Sequence, residues 1–296
     1  MKTSEKHNIL IVKHSSLGDW IKATGLFHFL RNKFKDSNII LITSQPYTQL
    51  AYSSGYFDKI WIDSREPYGS WGIFKKIRKH NYSYVFDLQS SLRSKMYRPF
   101  ITCSNKYWSL ERRKKMHDIE QFYDALKYLG IDKHPAPATH WLTTDVSHLN
   151  ISKDFVLLIP GCSAKRKEKR WTATGYANVV KHFHAKNIAT VIIGNEEDAD
   201  ITAEIMNKCA NSPINLINKI GFHGISALAK KSLYIIGGDT GPVHIAAATG
   251  SKTIVLLTAT ANFHPEYCKP WGDNVVVIQK DNMNQLSHEH VLNCFH

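Results

Sequence analysis

At 296 residues, with 43% apolar and 21% charged residues, the chain has the composition of a globular protein long enough for two ordinary domains, which argues against global disorder. No apolar run approaches the roughly 20 residues that cross a bilayer, and the run at residues 9–12 is too short for the core of a signal peptide, so the expected location is the cytoplasm. A formal charge of +13 favours anionic partners, whether phosphates, nucleic acid or an acidic membrane surface.

Short Ile/Val/Leu-rich segments recur along the chain: NILIV, NIILI, KIWI and YVFDL in the first half, DFVLLI, ATVIIG, LYIIGG and KTIVLL in the second. Helical stretches separate them, and that alternation predicts an α/β protein with parallel, doubly wound sheets. Residues 131–154, rich in Pro, Thr, Asp and His, read as the connection between halves, so two Rossmann-like domains are expected at 1–150 and 151–296. Ligands of such sheets bind at the carboxyl ends of strands, and two domains facing each other leave a cleft. The five cysteines, Cys103, Cys162, Cys209, Cys268 and Cys294, are widely spread without a C-x-x-C pair, so reduced thiols are expected rather than a zinc or redox centre.

The loop after the first strand is KHSSLGDW, residues 13–20. It places Asp19 at or just inside a helix with Ile21, Leu26, Phe29 and Leu30 as apolar positions, where an acid is stabilised by the helix dipole and is a weak base. Asp19 therefore reads either as a helix-start acid or as a base for a proton that leaves late. The loop after YVFDL opens DLQSSLRSKMYRPF, and from Arg93 to Lys115 the chain carries eight cations against one acid, Glu111. Tyr97, Phe100, Tyr107 and Trp108 are interleaved with them, a mixture that suits nucleic acid or an anionic amphiphile at a membrane.

In the second half, LYIIGGDTGPVHIAAATG runs from a strand through Gly237 and Gly238 into a helix. Pro242 suits the first helical position and Gly241 the cap, so the first-turn N–H groups and the Thr240 hydroxyl form an anion site. The plain alternative is a strand-turn-helix junction held by Asp239, with His244 as a packing residue. Neither G-x-G-x-x-G nor a P-loop is present. Upstream, LLIPGCSAKRKEKRW carries Lys165, Arg166, Lys167, Lys169 and Arg170 after another strand, either a diphosphate site or a solvated basic loop. Glu196 and Glu197 follow VIIG, where an acid can bind ribose or simply favour a helix start. The DAD at 198–200 sits at a helix start where i and i+2 diverge, so it reads as chance, and the His-rich tail lacks a third metal ligand.

Five segments in order resemble glycosyltransferase family 9, the ADP-heptose:lipopolysaccharide heptosyltransferases: ILIVKHSSLGDW, DLQSSLRS, HDIEQFYDALKYLGI, KRW and GGDTGPVHIAAATG. The resemblance implies a GT-B fold and inverting transfer of heptose from ADP-heptose to the lipopolysaccharide inner core, on a Kdo-lipid A acceptor, with no metal and no other cofactor. It implies Asp19 as general base; Lys169, Asp239, Thr240 and Gly241 at the diphosphate; and Glu196 or Glu197 at the ribose. Lys13, Ser16, Gln89, Arg93, Arg98, Arg112 and Arg113 are then the expected acceptor-binding residues. The acceptor is an anionic lipid, which implies peripheral contact with the cytoplasmic face of the inner membrane and no nucleic-acid partner. One departure stands out: where the family has G-P-T after its last core strand, this chain has Thr258-Ala259-Thr260, which admits another nucleotide-sugar. A basic nucleic-acid-binding α/β protein is the alternative of a different class.

Overall fold

The computed structural model describes residues 7–64, 66–111, 116–162, 168–258 and 265–295. The chain divides into two compact units, Met1–Trp141 and Leu142–His296. The division falls before residue 150, and Leu142 and Val146, at the start of the second unit, are already buried.

The first unit runs β1 (Asn8–Val12), α1 (Leu17–Lys33), β2 (Asn38–Thr43), α2 (Thr48–Ser54), β3 (Lys59–Ile62), α3 (Pro67–Arg78), β4 (Asn81–Asp87), α4 (Leu92–Lys95), β5 (Thr102–Ser109) and α5 (Asp118–Tyr128). Its five strands are parallel in the order β3-β2-β1-β4-β5, with Ile11 of the central strand opposite Leu41 on one side and Phe86 on the other. β1 is buried from Ile9 to Val12, which is why its sequence is a continuous apolar run rather than an alternation. α1 starts at Ser16, whose extended backbone makes it the cap residue, and closes with Arg31 and Lys33 in the last turn, where cations suit the helix dipole. The helix is apolar nearly all round: Trp20, Ile21, Ala23, Leu26, Phe27 and Leu30 are buried. Residues 135–138 cross it at Gly25, where a Cβ would lie 2.1 Å from the Pro135 carbonyl oxygen, and the Ala138 N–H donates to Thr24 Oγ1 at 2.9 Å.

The second unit runs β6 (Phe155–Ile159), α6 (Ala173–His184), β7 (Ala189–Ile192), α7 (Ala199–Asn207), β8 (Ile214–Asn215), α8 (Phe222–Lys231), β9 (Tyr234–Gly238), α9 (Gly241–Ala247), β10 (Thr253–Thr258), α10 (Pro265–Cys268), β11 (Val275–Lys280) and α11 (His288–Leu292). Its six parallel strands lie in the order β11-β10-β9-β6-β7-β8. Trp171 is in the core, donating its indole N–H to the Leu286 carbonyl at 2.7 Å and resting edge-on against Tyr176. Gly175 is required beneath it, because a Cβ there would sit 2.4 Å from the indole ring.

Both sheets therefore start from a central strand, wind outward to one side and then cross back to the other. The switch points lie between β1 and β4 and between β6 and β9, where diverging loops leave room for a ligand. The expected doubly wound α/β class is observed. Three strands were not among those expected: β5, whose TCSNKYWS is an edge strand without an apolar run, the two-residue β8, and β11.

Candidate functional site

At the first switch point the carboxyl ends of β1 and β4 support one another. Gln89, in the loop after β4, accepts the His14 and Ser15 N–H groups on its side-chain oxygen, both at 3.0 Å. Its own N–H and that of Ser90 donate to Asp87 Oδ1 at 3.0 and 2.9 Å. Lys13, only 1% exposed, directs its ammonium to the Leu88 carbonyl at 3.4 Å. The loop is thus tied across the switch point before α1 begins.

Asp19 is the third residue of α1 and does not itself cap the helix. It accepts the Ser16 hydroxyl on Oδ2 at 3.2 Å and faces Lys22 through Oδ1 at 3.0 Å. Its side chain is 22% exposed, so the carboxylate is held but reachable. An anion in the first turn also gains from the helix dipole.

Beside this loop is a buried network that sequence reading did not single out. Asp63, directly after β3 and fully buried through its side chain, takes Arg93 in a bidentate pair at 2.8 and 2.6 Å. It also accepts the Tyr97 hydroxyl, which in turn lies 2.9 Å from His14 Nε2. Burial pushes the Tyr97 phenol far up and the neighbouring carboxylate adds to it, so Tyr97 stays protonated; the Asp63 hydrogen bond raises Arg93. The signal available in sequence was an acid immediately after KIWI. A cavity of about 260 Å³ opens here, lined by Ser15, Ser44, Tyr47, Asp63 and Ser64. A larger one of about 780 Å³ lies at the ends of β4 and β5, lined by Ser90, Lys95, Tyr107, Trp108, Ser109 and Glu111.

The expected acceptor residues therefore divide. Lys13, Ser16 and Gln89 build the loop around Asp19, while Arg93 is committed to Asp63. Arg98 lies over the Tyr107 ring at 4.4 Å. Arg112 and Arg113 lie outside the described residues.

At the second switch point, Lys169 Nζ lies 3.0 Å from Asp239 Oδ2, and His244 Nε2 lies 3.2 Å from Oδ1. Burial alone would raise the Asp239 carboxyl, but the hydrogen bond and charge of His244, followed by Lys169, outweigh it and hold the group below its ordinary value. Since a carboxylate only accepts, Nε2 carries the proton. His244 is thus a partner of Asp239 rather than a packing residue. The cap of α9 is Thr240, not Gly241: the helix starts one residue earlier than expected, with Gly241 and Pro242 in its first turn. Thr240 Oγ1 and His244 Nδ1 are among the buried side-chain atoms without a hydrogen-bond partner among the described residues.

The KRW segment assigns each residue a different task. Lys169 goes to Asp239, Arg170 to Asp198 at 3.3 Å and to the Glu197 carbonyl at 2.9 Å, and Trp171 to the core. Asp198 is buried and Asp200 exposed, so the DAD does not converge on one ion. Glu196 accepts from the Asn218 amide, and both Glu196 and Glu197 lie exposed in the turn after β7. Lys165, Arg166 and Lys167 lie outside the described residues, as do Ala259 and Thr260, whereas Thr258 ends β10. Among the described residues no group of three His, Cys, Asp or Glu side chains is arranged to hold a metal, and no helix is long and apolar enough to cross a membrane.

Residues 70–296 match the sequence profile of Glycosyltransferase family 9 (heptosyltransferase). The chain is 22% identical to the lipopolysaccharide core heptosyltransferase OpsX of Haemophilus influenzae, over 95% of this chain and 87% of that one. Among solved structures, a family 9 glycosyl transferase from Veillonella parvula superimposes with a TM-score of 0.82 at 18% identity, covering 97% of this chain and 96% of its own. The E. coli heptosyltransferase WaaC gives 0.76, over 97% and 98% of the two chains, both in its ADP complex at 15% identity and in its complex with ADP-2-deoxy-2-fluoro heptose at 14%. These likenesses extend the two-sheet architecture to the GT-B fold.

Proposed function

Because this chain belongs to glycosyltransferase family 9, the heptosyltransferases, we propose that it transfers heptose from ADP-heptose to the lipopolysaccharide inner core, on a Kdo-lipid A acceptor, with inversion and without a metal. The observation that carries the donor assignment is the Lys169–Asp239–His244 cluster at the second switch point, with Thr240 Oγ1 and His244 Nδ1 unpartnered among the described residues. A nucleotide diphosphate supplies the anion and the acceptor oxygens that such a cluster lacks. The relatives support the rest: OpsX is a lipopolysaccharide core enzyme, and WaaC has been captured with ADP and with an ADP-heptose analogue.

In this reading the acceptor hydroxyl attacks the anomeric carbon and forms the new C–O bond. The bond to the diphosphate breaks with its electron pair going to ADP, and the hydroxyl proton goes to Asp19. The charge growing on ADP is met by Lys169, Thr240 and the first-turn N–H groups at Gly241, and donors aimed at developing charge contribute most. Glu196 or Glu197 binds the ribose. The first unit holds the acceptor and the second the donor, at the cytoplasmic face of the inner membrane.

The test is transfer by purified Asp19→Asn. Turnover is expected to fall by roughly 10²–10⁴ with little change in donor KM. Turnover near that of the wild type would remove the base assignment. A thermal-shift panel fixes the donor: stabilisation by ADP-heptose above other nucleotide-sugars is expected, and preference for another sugar would relocate the activity within the family.

A further inference from the structure

The buried side of α1 is built mainly from Trp20, Ile21, Leu26, Phe27 and Leu30, and among the buried residues of this helix only Lys22 carries a charge. Lys22 is 5% exposed, and its ammonium lies 3.0 Å from Asp19 Oδ1, three residues earlier on the helix. A pair spaced i, i+3 forms without burial, and at the surface both charges keep their hydration. Lysine is almost never buried unless it is paired, and enclosing the ammonium costs the hydration that an apolar residue would not have to give up. The helix therefore keeps a charge at a position where packing alone asks for none.

The work of that charge follows from its partner. Asp19 is held at both oxygens, Oδ1 by Lys22 and Oδ2 by the Ser16 hydroxyl, so its carboxylate turns about the Cβ–Cγ bond only by giving up a contact. We propose that Lys22 is a positioning residue for sugar transfer, keeping Asp19 ionised and turned so that its exposed edge meets the hydroxyl whose proton it takes. A cation beside a carboxylate favours the charged form, and a proton acceptor already aligned loses little to reorientation. Lys22 is itself too enclosed to reach a substrate anion, so it acts through Asp19. This deepens the proposed function and rests on Asp19 as its base.

Of the titratable groups on the segments that adjoin α1, the Lys13 ammonium is directed to the Leu88 carbonyl, and His14 Nε2 lies 2.9 Å from the Tyr97 hydroxyl. On α5, which packs against α1, Glu120 faces His134 at 3.7 Å; just before it, His117 Nδ1 accepts the Ile119 N–H. His140, in the segment that follows the crossing, lies against His28 further along α1. Replacing Lys22 therefore changes the charge beside Asp19 and leaves these contacts in place.

The experiment compares Lys22→Gln, which keeps a hydrogen-bond donor without the charge, with Lys22→Arg, which keeps the charge. Two quantities are followed in the full chain: kcat against pH at saturating ADP-heptose, and the NMR titration of the Asp19 carboxyl carbon without substrate, assigned by its loss in Asp19→Asn. In Lys22→Gln the acid limb of kcat and the carboxyl titration should both move up by about 1–3 pH units. Its kcat near neutral pH should fall on the order of tenfold with donor KM unchanged. In Lys22→Arg both midpoints should stay where the wild type has them, whatever the loss in kcat. A role in the fold alone would lower the thermal midpoint of both variants and move neither titration. That outcome, or a carboxyl titration of Lys22→Gln at the wild-type position, would overturn the assignment of Lys22. A carboxyl titration that moves while the acid limb of kcat stays would instead remove Asp19 as the base, and the positioning role with it, leaving the coupling of the two side chains standing.

Discussion

Lys169 and Asp239 stand 70 residues apart in the chain and meet at 3.0 Å, joined by the pairing of β6 with β9. That pairing, with Ile159 opposite Gly237, delivers the two loops to the same place at the switch point. The ammonium brings three donors and a full charge, and hydrogen bonds to charged groups contribute roughly 1.5–3 kcal/mol each. Lys169→Ala is therefore expected to raise the KM for ADP-heptose about ten- to a hundredfold while His244 keeps Asp239 in place. Unchanged donor kinetics would remove Lys169 from the diphosphate site.

The same cluster predicts an acid dependence. The folded-state pKa of Asp239 is depressed, so its contribution to stability is fully present above the unfolded value, about 3.9, and is lost as pH falls through the lower folded value. The thermal midpoint of the wild type should therefore fall more steeply below about pH 4 than that of Asp239→Asn. Parallel curves for the two proteins would show that the ion cluster is not linked to folding.

The parts of the fold visible in sequence were those written in apolar runs. β1, β2, β6 and β10 are buried on both faces, and burial of that kind leaves an unbroken Ile/Val/Leu signature. β5 has polar and charged residues because it is an edge strand, and the same residues read equally well as a basic surface. Asp63, Tyr97 and His14 converge from three separate loops, so no spacing in the chain announces them. His244 was ambiguous for a related reason: one turn into a helix, a histidine packs or binds according to what lies opposite, and Asp239 is opposite.

Gln89 holds the loop that precedes Asp19 through one oxygen and two backbone N–H groups. Gln89→Leu would leave both donors without that acceptor, at a cost of roughly 1–3 kcal/mol for each buried one. A displaced base lowers the rate more than it lowers binding. The expected result is a kcat reduced on the order of tenfold, an ADP affinity unchanged, and partial recovery in Gln89→Glu, which keeps the accepting oxygen. A variant altered in KM alone would instead make Gln89 an acceptor contact.

Gly25 tests the crossing of α1 by residues 135–138. In an isolated helix Gly→Ala stabilises by about 1 kcal/mol. Here the added Cβ would meet the Pro135 and Ala136 carbonyl oxygens at 2.1 and 2.2 Å, and both are backbone atoms that move only with the whole crossing segment. Overpacking of this kind costs roughly 1–3 kcal/mol, so the sign reverses and Gly25→Ala should unfold at lower urea. A variant as stable as the wild type would mean the crossing yields easily.

The enclosure of α1 has a consequence for timing. With α5 packed alongside and the Pro135–Ala138 segment across it, the helix that carries Asp19 is held from two sides. Its carboxylate is tied in addition to Ser16 and Lys22, so that in the proposed reaction it would be positioned in advance. In the proposed reaction, the search that precedes bond formation would then fall to the acceptor rather than to this helix.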